Sequence, residues 1–111
     1  MPMMPNCDRA IVAPEKIIDY LLSDTQSVGR HKAGFFTSFG FRADTPDVLA
    51  NALRRHAAMR TYARMYSTPH GVKYEISGPL PAPDGRMPTV RSIWIIDAGA
   101  TVPRLVTAFP D

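Results

Sequence analysis

A single cysteine, Cys7, rules out an intrachain disulfide. That usage suits a reducing cytoplasm, where we expect the protein. No local base accompanies Cys7, so it reads as a small apolar residue rather than a nucleophile. Glutamate is nearly absent: Glu15 and Glu75 are the only two. Catalysis by paired glutamates has little to draw on. Glu75 falls on an expected strand and reads either as a general base or as a charge facing water. No apolar run approaches the roughly 18–20 residues that span a bilayer, so a membrane is not an expected partner. The opening MPMMPNCDRA lacks a basic stretch followed by an apolar one, which argues against a secretory signal there. CxxC, HExxH, GxSxG and the phosphate-loop pattern are all missing. His31, His56, His70 and Cys7 have no chelating spacing, so neither a metal nor a cofactor is expected.

What is present fits one domain. The chain has 111 residues, 45% of them hydrophobic. That length can bury a core without staples. Residues 1–13 form an extended lead-in and residues 14–111 a single α+β domain. Net charge is +3, and ten of the thirteen basic residues are arginine, whose planar fork suits phosphate. Between Val48 and Tyr74 there is no acidic residue, while Arg54, Arg55, Arg60, Arg64 and Lys73 all fall there. Such a stretch either attracts polyanions or forms a solvated helix end followed by a strand with exposed arginines.

Hydrophobic spacing places three helices first. Pro14 and Glu15 suit a first turn, and Ile17, Ile18, Leu21 and Leu22 make one stripe, predicting a helix from Pro14 to about Ser23. A second helix runs from about Arg30 to Phe39 and stops at Gly40, with Phe35, Phe36 and Phe39 as core anchors. Thr45-Pro46-Asp47 starts a third, which continues through Val48, Leu49, Ala52, Leu53 and His56 to about Ala58.

The period then falls to two. Residues 61–66 and 72–77 read as a hairpin about the turn Thr68-Pro69-His70-Gly71. After Ala82-Pro83-Asp84-Gly85 comes a strand at about Thr89–Ile96. Val90, Trp94 and Ile96 occupy one of its faces, Ile93 and Ile95 the other, which marks a central strand. Arg104–Phe109 is the last strand. Helices followed by strands, without alternation, predict an α+β fold: three N-terminal helices packed on a four-stranded antiparallel sheet.

Two groupings could carry chemistry. Val28-Gly29-Arg30-His31-Lys32 sets a histidine and two cations at a helix start, where backbone N–H groups attract anions. His31 would serve there as acid or base. From spacing alone the same residues read first as the wet face of a helix whose phenylalanines are buried. Lys73 and Thr107 lie on different strands. On one face of an antiparallel sheet they could neutralise a phosphate and donate to it. Otherwise they are a solvated lysine and a β-branched filler.

A resemblance enters through Asp8-Arg9-Ala10-Ile11-Val12, Lys16-Ile17-Ile18-Asp19-Tyr20-Leu21-Leu22, Val28-Gly29-Arg30-His31-Lys32-Ala33, Phe35-Phe36, Gly40-Phe41 and Gly71-Val72-Lys73-Tyr74. It continues through Gly78-Pro79-Leu80, Pro83-Asp84-Gly85-Arg86, Val90-Arg91-Ser92-Ile93-Trp94 and Pro103-Arg104-Leu105-Val106-Thr107-Ala108-Phe109-Pro110. This pattern resembles a bacterial family of domains of unknown function, relatives of which occur as C-terminal pieces of secreted toxins and of phage-head proteins. More loosely it is similar to the BECR ribonucleases (barnase, EndoU and colicin tRNases), which act without a metal. That likeness implies His31 or Lys32 as the helix-borne catalytic group, Lys73 and Arg104 as phosphate ligands and Thr107 as the polar residue of the final strand. Phe109 stands where such toxins often carry tyrosine. The expected function is metal-independent RNA cleavage of toxin-like type. The rival is a non-catalytic module, binding nucleic acid through the Arg54–Lys73 stretch with Tyr62 and Tyr66 as stacking rings, or binding a protein. Expected partners are RNA and a protein, either immunity-type or a neighbouring domain.

Overall fold

The computed structural model describes residues 2–21 and 34–111, with backbone alone at 19 and 20. It is an α+β fold. A 3-10 turn at Cys7–Arg9 leads to α1, Pro14–Lys16. In place of the expected α-helix the chain widens into a π turn at Ile17–Leu21, and the end of that expected helix, at about Ser23, lies outside the described residues. Ile17 and Leu21 are buried by that turn while Ile18 remains exposed, so the expected stripe is only partly interior. Residues 34–38 are helical (α2). Then come α3, Pro46–Ala58, and four strands: β1 Arg64–Thr68, β2 Gly71–Pro79, β3 Thr89–Asp97 and β4 Arg104–Pro110. The strands form one antiparallel sheet in the order β1-β2-β3-β4.

Local chemistry accounts for the boundaries. Helix α2 ends because Gly40 takes φ +98°, a left-handed value that glycine adopts without strain. The Gly40 N–H then donates to the Thr37 carbonyl and the Phe41 N–H to that of Phe36. This pair of bonds closes a helix end, and the Phe36 and Phe41 rings meet edge-on at 6.1 Å beneath it. Pro46 opens α3 as expected, but the Thr45 side chain makes no capping bond. Strand β1 starts later than the expected Thr61. Thr61 instead bridges to Met3, and Ala63 donates out of register to the Glu75 carbonyl at 2.8 Å. The lead-in is drawn into the fold, with Met4, Ala10 and Val12 buried. Ile11 bridges in parallel to Arg104 at the β4 edge.

The core lies between α3 and one face of the sheet. Leu49, Ala52, Leu53 and Ala57 meet Tyr74, Ile76, Val90, Trp94, Leu105 and Ala108, all buried. Two polar residues, His56 and Ser92, sit in this layer. His56 continues the apolar stripe of α3 and is fully buried. Its Nδ1 lies 2.9 Å from Ser92 Oγ, and its Nε2 lies 3.1 and 3.0 Å from the carbonyls of Gly78 and Val90. Trp94 Nε1 donates to the same Ser92 oxygen at 2.8 Å. Two carbonyls around Nε2 require its proton there, so Nδ1 accepts from Ser92. Every polar atom of this clasp is satisfied, and it ties α3 to both central strands.

Two stability predictions follow from this packing. A Cβ on Gly71 (φ +152°) would lie 2.2 Å from the Ile96 carbonyl oxygen. Gly71→Ala is expected to lose about 2 kcal/mol or more of unfolding free energy, read from urea denaturation. Burial holds the His56 imidazole below its usual pKa, more strongly than its carbonyl partners oppose that shift. The unfolded chain therefore binds a proton that the folded one refuses. Stability is complete above about pH 6.5 and declines as pH falls through the depressed folded value. Thermal melts from pH 7.5 to pH 5 should show that decline, and His56→Asn should flatten it while lowering Tm throughout.

Candidate functional site

Register determines which sheet side chains avoid α3. Opposite Tyr74, Ile76, Trp94 and Val90, the far face carries Lys73, Glu75 and Ser77 of β2, with Arg91, Ile93 and Ile95 of β3. Strand β1 adds Arg64 and Tyr66, paired with Glu75 and Lys73. Two cross-strand rows result: Tyr66–Lys73–Ile95–Arg104, and Arg64–Glu75–Ile93–Thr107.

Strand β4 joins these rows through an irregularity. Arg104 and Thr107 are three residues apart and would face opposite sides of a regular strand. Ile93 pairs with Thr107, however, while the next residue, Trp94, pairs with Leu105. Val106 is therefore the extra residue of a bulge, and bulges re-aim side chains. Arg104 and Thr107 consequently share the far face, and Leu105 and Ala108 are both buried in the core.

Glu75 is the focus of this face. It does not point into water: it is 8% exposed, and burial in the pleat between flanking arginines overrides the solvated-charge reading. Arg91 Nη1 meets its Oε1 at 2.9 Å, and Arg64 Nη1 stands 3.7 Å from Oε2. Arg64 also lies over the Tyr66 ring, 4.6 Å from its centre. Burial, then hydrogen bonding with the neighbouring Glu75, raises the Tyr66 phenol above its usual pKa. Arg91 is held from behind, its Nε 3.3 Å from Asp111 Oδ2, and the Ser77 hydroxyl donates to that oxygen. These two donors, Ser77 foremost, keep the Asp111 carboxyl below the usual range.

The sequence-predicted site is met in part. Lys73, Arg104 and Thr107 share one face. Lys73 makes no ion pair among the described residues, whereas both ends of the Arg104 fork engage Asp97, at 2.7 and 3.0 Å. His31 and Lys32 lie outside the described residues. The stacking pair of the rival reading is divided: the Tyr62 ring meets Tyr74 at 5.1 Å on the helix-covered side, while Tyr66 is on the far face. Arg91 and Asp111 were not singled out by sequence. Their only signal was alternation with β2, which needs the pairing register to be read. Among the described residues no three His, Cys, Asp or Glu side chains gather as a metal-binding group. An open hollow of about 690 Å³ beside Thr37, Gly40, Phe41, Arg42, Ala43 and Asp44 lies away from this cluster. Its one charged pair, Arg42 and Asp44, is exposed and mutually satisfied.

The helix-backed antiparallel sheet is a fold seen among solved proteins. One chain of a structure described as a contact-dependent growth inhibition toxin–immunity protein complex from Klebsiella pneumoniae 342 matches with a TM-score of 0.71 at 16% identity. The match covers 91% of this chain and 99% of that one, and at this identity it is a likeness of fold. No curated protein matches the sequence. The chain itself belongs to DUF6883, a domain of unknown function, which it matches over residues 3–111.

Proposed function

We propose that this chain is a toxin-type ribonuclease that cleaves RNA phosphodiester bonds on the far face of its sheet, without a metal. The carrying observation is the joint placement there of Lys73, Arg104 and Thr107 with a carboxylate flanked by Arg64 and Arg91. Cleavage needs a base for the ribose 2′-hydroxyl, positive charge for the phosphorane and an acid for the leaving oxygen. Lys73 and Arg104 supply charge in this reading, and Thr107 orients the phosphate. His31, with Lys32 beside it, is the helix-borne acid or base. The fold likeness to a chain of a toxin–immunity complex supports the toxin-like part, and the BECR likeness supports the chemistry. The reading places the protein in the cytoplasm, with RNA as substrate and an immunity-type protein as a partner able to cover the charged face.

A binding module is the second reading, favoured by the acid-free stretch from Val48 to Tyr74. Cleavage separates the two. Incubation of the chain with tRNA or total RNA in EDTA should yield discrete fragments, and Lys73→Ala should slow their appearance at least about tenfold. RNA left intact by the unaltered chain removes the enzyme reading.

Binding has its own signature. Affinity for RNA should fall as salt rises, and Lys73→Ala should reduce the log–log slope by about one. Arg104→Ala should change it less, because that guanidinium is shared with Asp97. Filter binding across a salt series reads both.

A further inference from the structure

We propose that the outer edge of β1 receives an extended, acidic segment of a partner protein, which adds to the sheet as a further strand. The inference does not depend on the cleavage reading, since it concerns the rim of the sheet and not chemistry on its face.

Alternation in the ladder fixes which backbone groups of β1 face outward. Just past the two ends of the β2–β3 pairing, the Leu80 N–H donates to the Pro88 carbonyl and the Ala98 N–H to the His70 carbonyl, both at 2.9 Å. These bonds continue the register of the two strands, so even-numbered residues of β2 turn their backbone groups to β3. Gly71, Lys73 and Glu75 therefore turn theirs to β1, where they face Thr68, Tyr66 and Arg64. Met65 and Ser67 are left with N–H and C=O directed away from the sheet, and no backbone group among the described residues meets them there. The β4 edge differs. There Ile11 donates to the Pro103 carbonyl and accepts from the Leu105 N–H, both at 2.9 Å.

The side chains along this edge select its occupant. Edges that avoid pairing carry charge or proline at their outward positions, whereas β1 carries Met65 and Ser67. Met65 pairs with Tyr74, so it lies toward the helix side, and it is 50% exposed. Met59, 74% exposed, precedes Thr61 by two residues, and Met3, 41% exposed, bridges to Thr61. Three of the seven large hydrophobic residues exposed among the described ones thus belong to this margin. Methionine adapts its shape to what it touches, which suits a docking surface. On the other face Arg64 and Tyr66 border the edge, with Lys73 one strand behind them. An added strand would alternate, setting apolar side chains beside Met65 and carboxylates beside Arg64. A second copy of this chain does not supply that pattern. Two β1 edges would bring basic side chains together, and the sequence from Val48 to Tyr74 offers no carboxylate to separate them.

The test uses a synthetic peptide of alternating glutamate and valine, its lysine-for-glutamate counterpart, and the glutamate peptide N-methylated at every residue. Fluorescence anisotropy with the full chain should show the first binding, the second not binding, and the third at least about tenfold weaker, because its main-chain donors are gone. Ser67→Pro removes one outward N–H and spares the β2 ladder, so it should weaken the first peptide about tenfold, while Ser67→Ala leaves its affinity unchanged. Amide hydrogen exchange followed by NMR locates the contact. Met65 and Ser67 should exchange quickly in the free chain, unlike Arg64 and Tyr66, and should slow when the peptide binds. Equal binding of the methylated and unmethylated peptides, which needs no altered chain, overturns strand addition. Met65 and Ser67 amides already protected in the free monomer reveal an edge covered by the chain itself and overturn the proposal too. A dimer in sedimentation that Ser67→Pro dissociates gives the edge to a second copy, and slowing of these amides by tRNA but not by the peptide gives it to nucleic acid; either result overturns the assignment. None of these outcomes bears on whether the chain cleaves RNA.

Discussion

Nine consecutive residue pairs between β2 and β3, from Gly71 opposite Asp97 to Pro79 opposite Thr89, decide which side chains meet α3. Alternation in a strand has a period of two, so a slip of one residue would exchange the two faces. Tyr74, Ile76, Trp94 and Val90 would then leave the core, and Glu75 and Arg91 would enter it. The apolar cost of that exchange is large, and the cost of burying unpaired charge beneath α3 is larger. Register is therefore the constraint from which both the core and the charged face descend.

His56 reinforces that register in a way an apolar residue could not. A leucine at its position would fill volume and tolerate sliding. The imidazole instead requires the Gly78 and Val90 carbonyls and the Ser92 hydroxyl together, and Gly78 and Val90 are opposite each other across β2 and β3. A one-residue slip would orphan a buried donor and a buried acceptor, each worth roughly 1–3 kcal/mol. The clasp is neutral in its working state, so it avoids the penalty of an interior charge. Polar specificity thus sits on the helix side of the sheet and charge on the other.

How much of this was legible in the chain depended on the range of the signal. The strands from Gly71 onward, the start of α3 at Pro46 and the stop at Gly40 follow from local period, proline and glycine, and they stand close to where spacing puts them. The two faces of β3 were legible too, because Ile93, Trp94, Ile95 and Ile96 alternate openly. The π turn at Ile17–Leu21 has no local signature distinct from a helical stripe. The Val106 bulge is invisible without the β3 partner, although it alone lets Arg104 and Thr107 share a face. Glu75 looked like an isolated charge because its partner Arg91 is sixteen residues away and the support of that partner, Asp111, another twenty. His56 passed as one more member of an apolar stripe, since its hydrogen-bond partners lie on strands.

The charged cluster does not owe its presence to stability. Ion pairs near a surface contribute about 0–1 kcal/mol each, and the Arg91 and Arg64 side chains retain contact with water. The fold has its cohesion on the other face, where Trp94, Phe36, Phe41 and the His56 clasp are buried. A threonine or valine in place of Glu75 would suit the middle of a β-strand better and spare the desolvation of a carboxylate. The sheet instead keeps a glutamate there, places arginines on both sides, and braces one of them through Asp111 and Ser77. An arrangement that costs stability at its centre and adds only small terms around it is what a preorganised site requires, and a surface serving only to stay wet has no use for it.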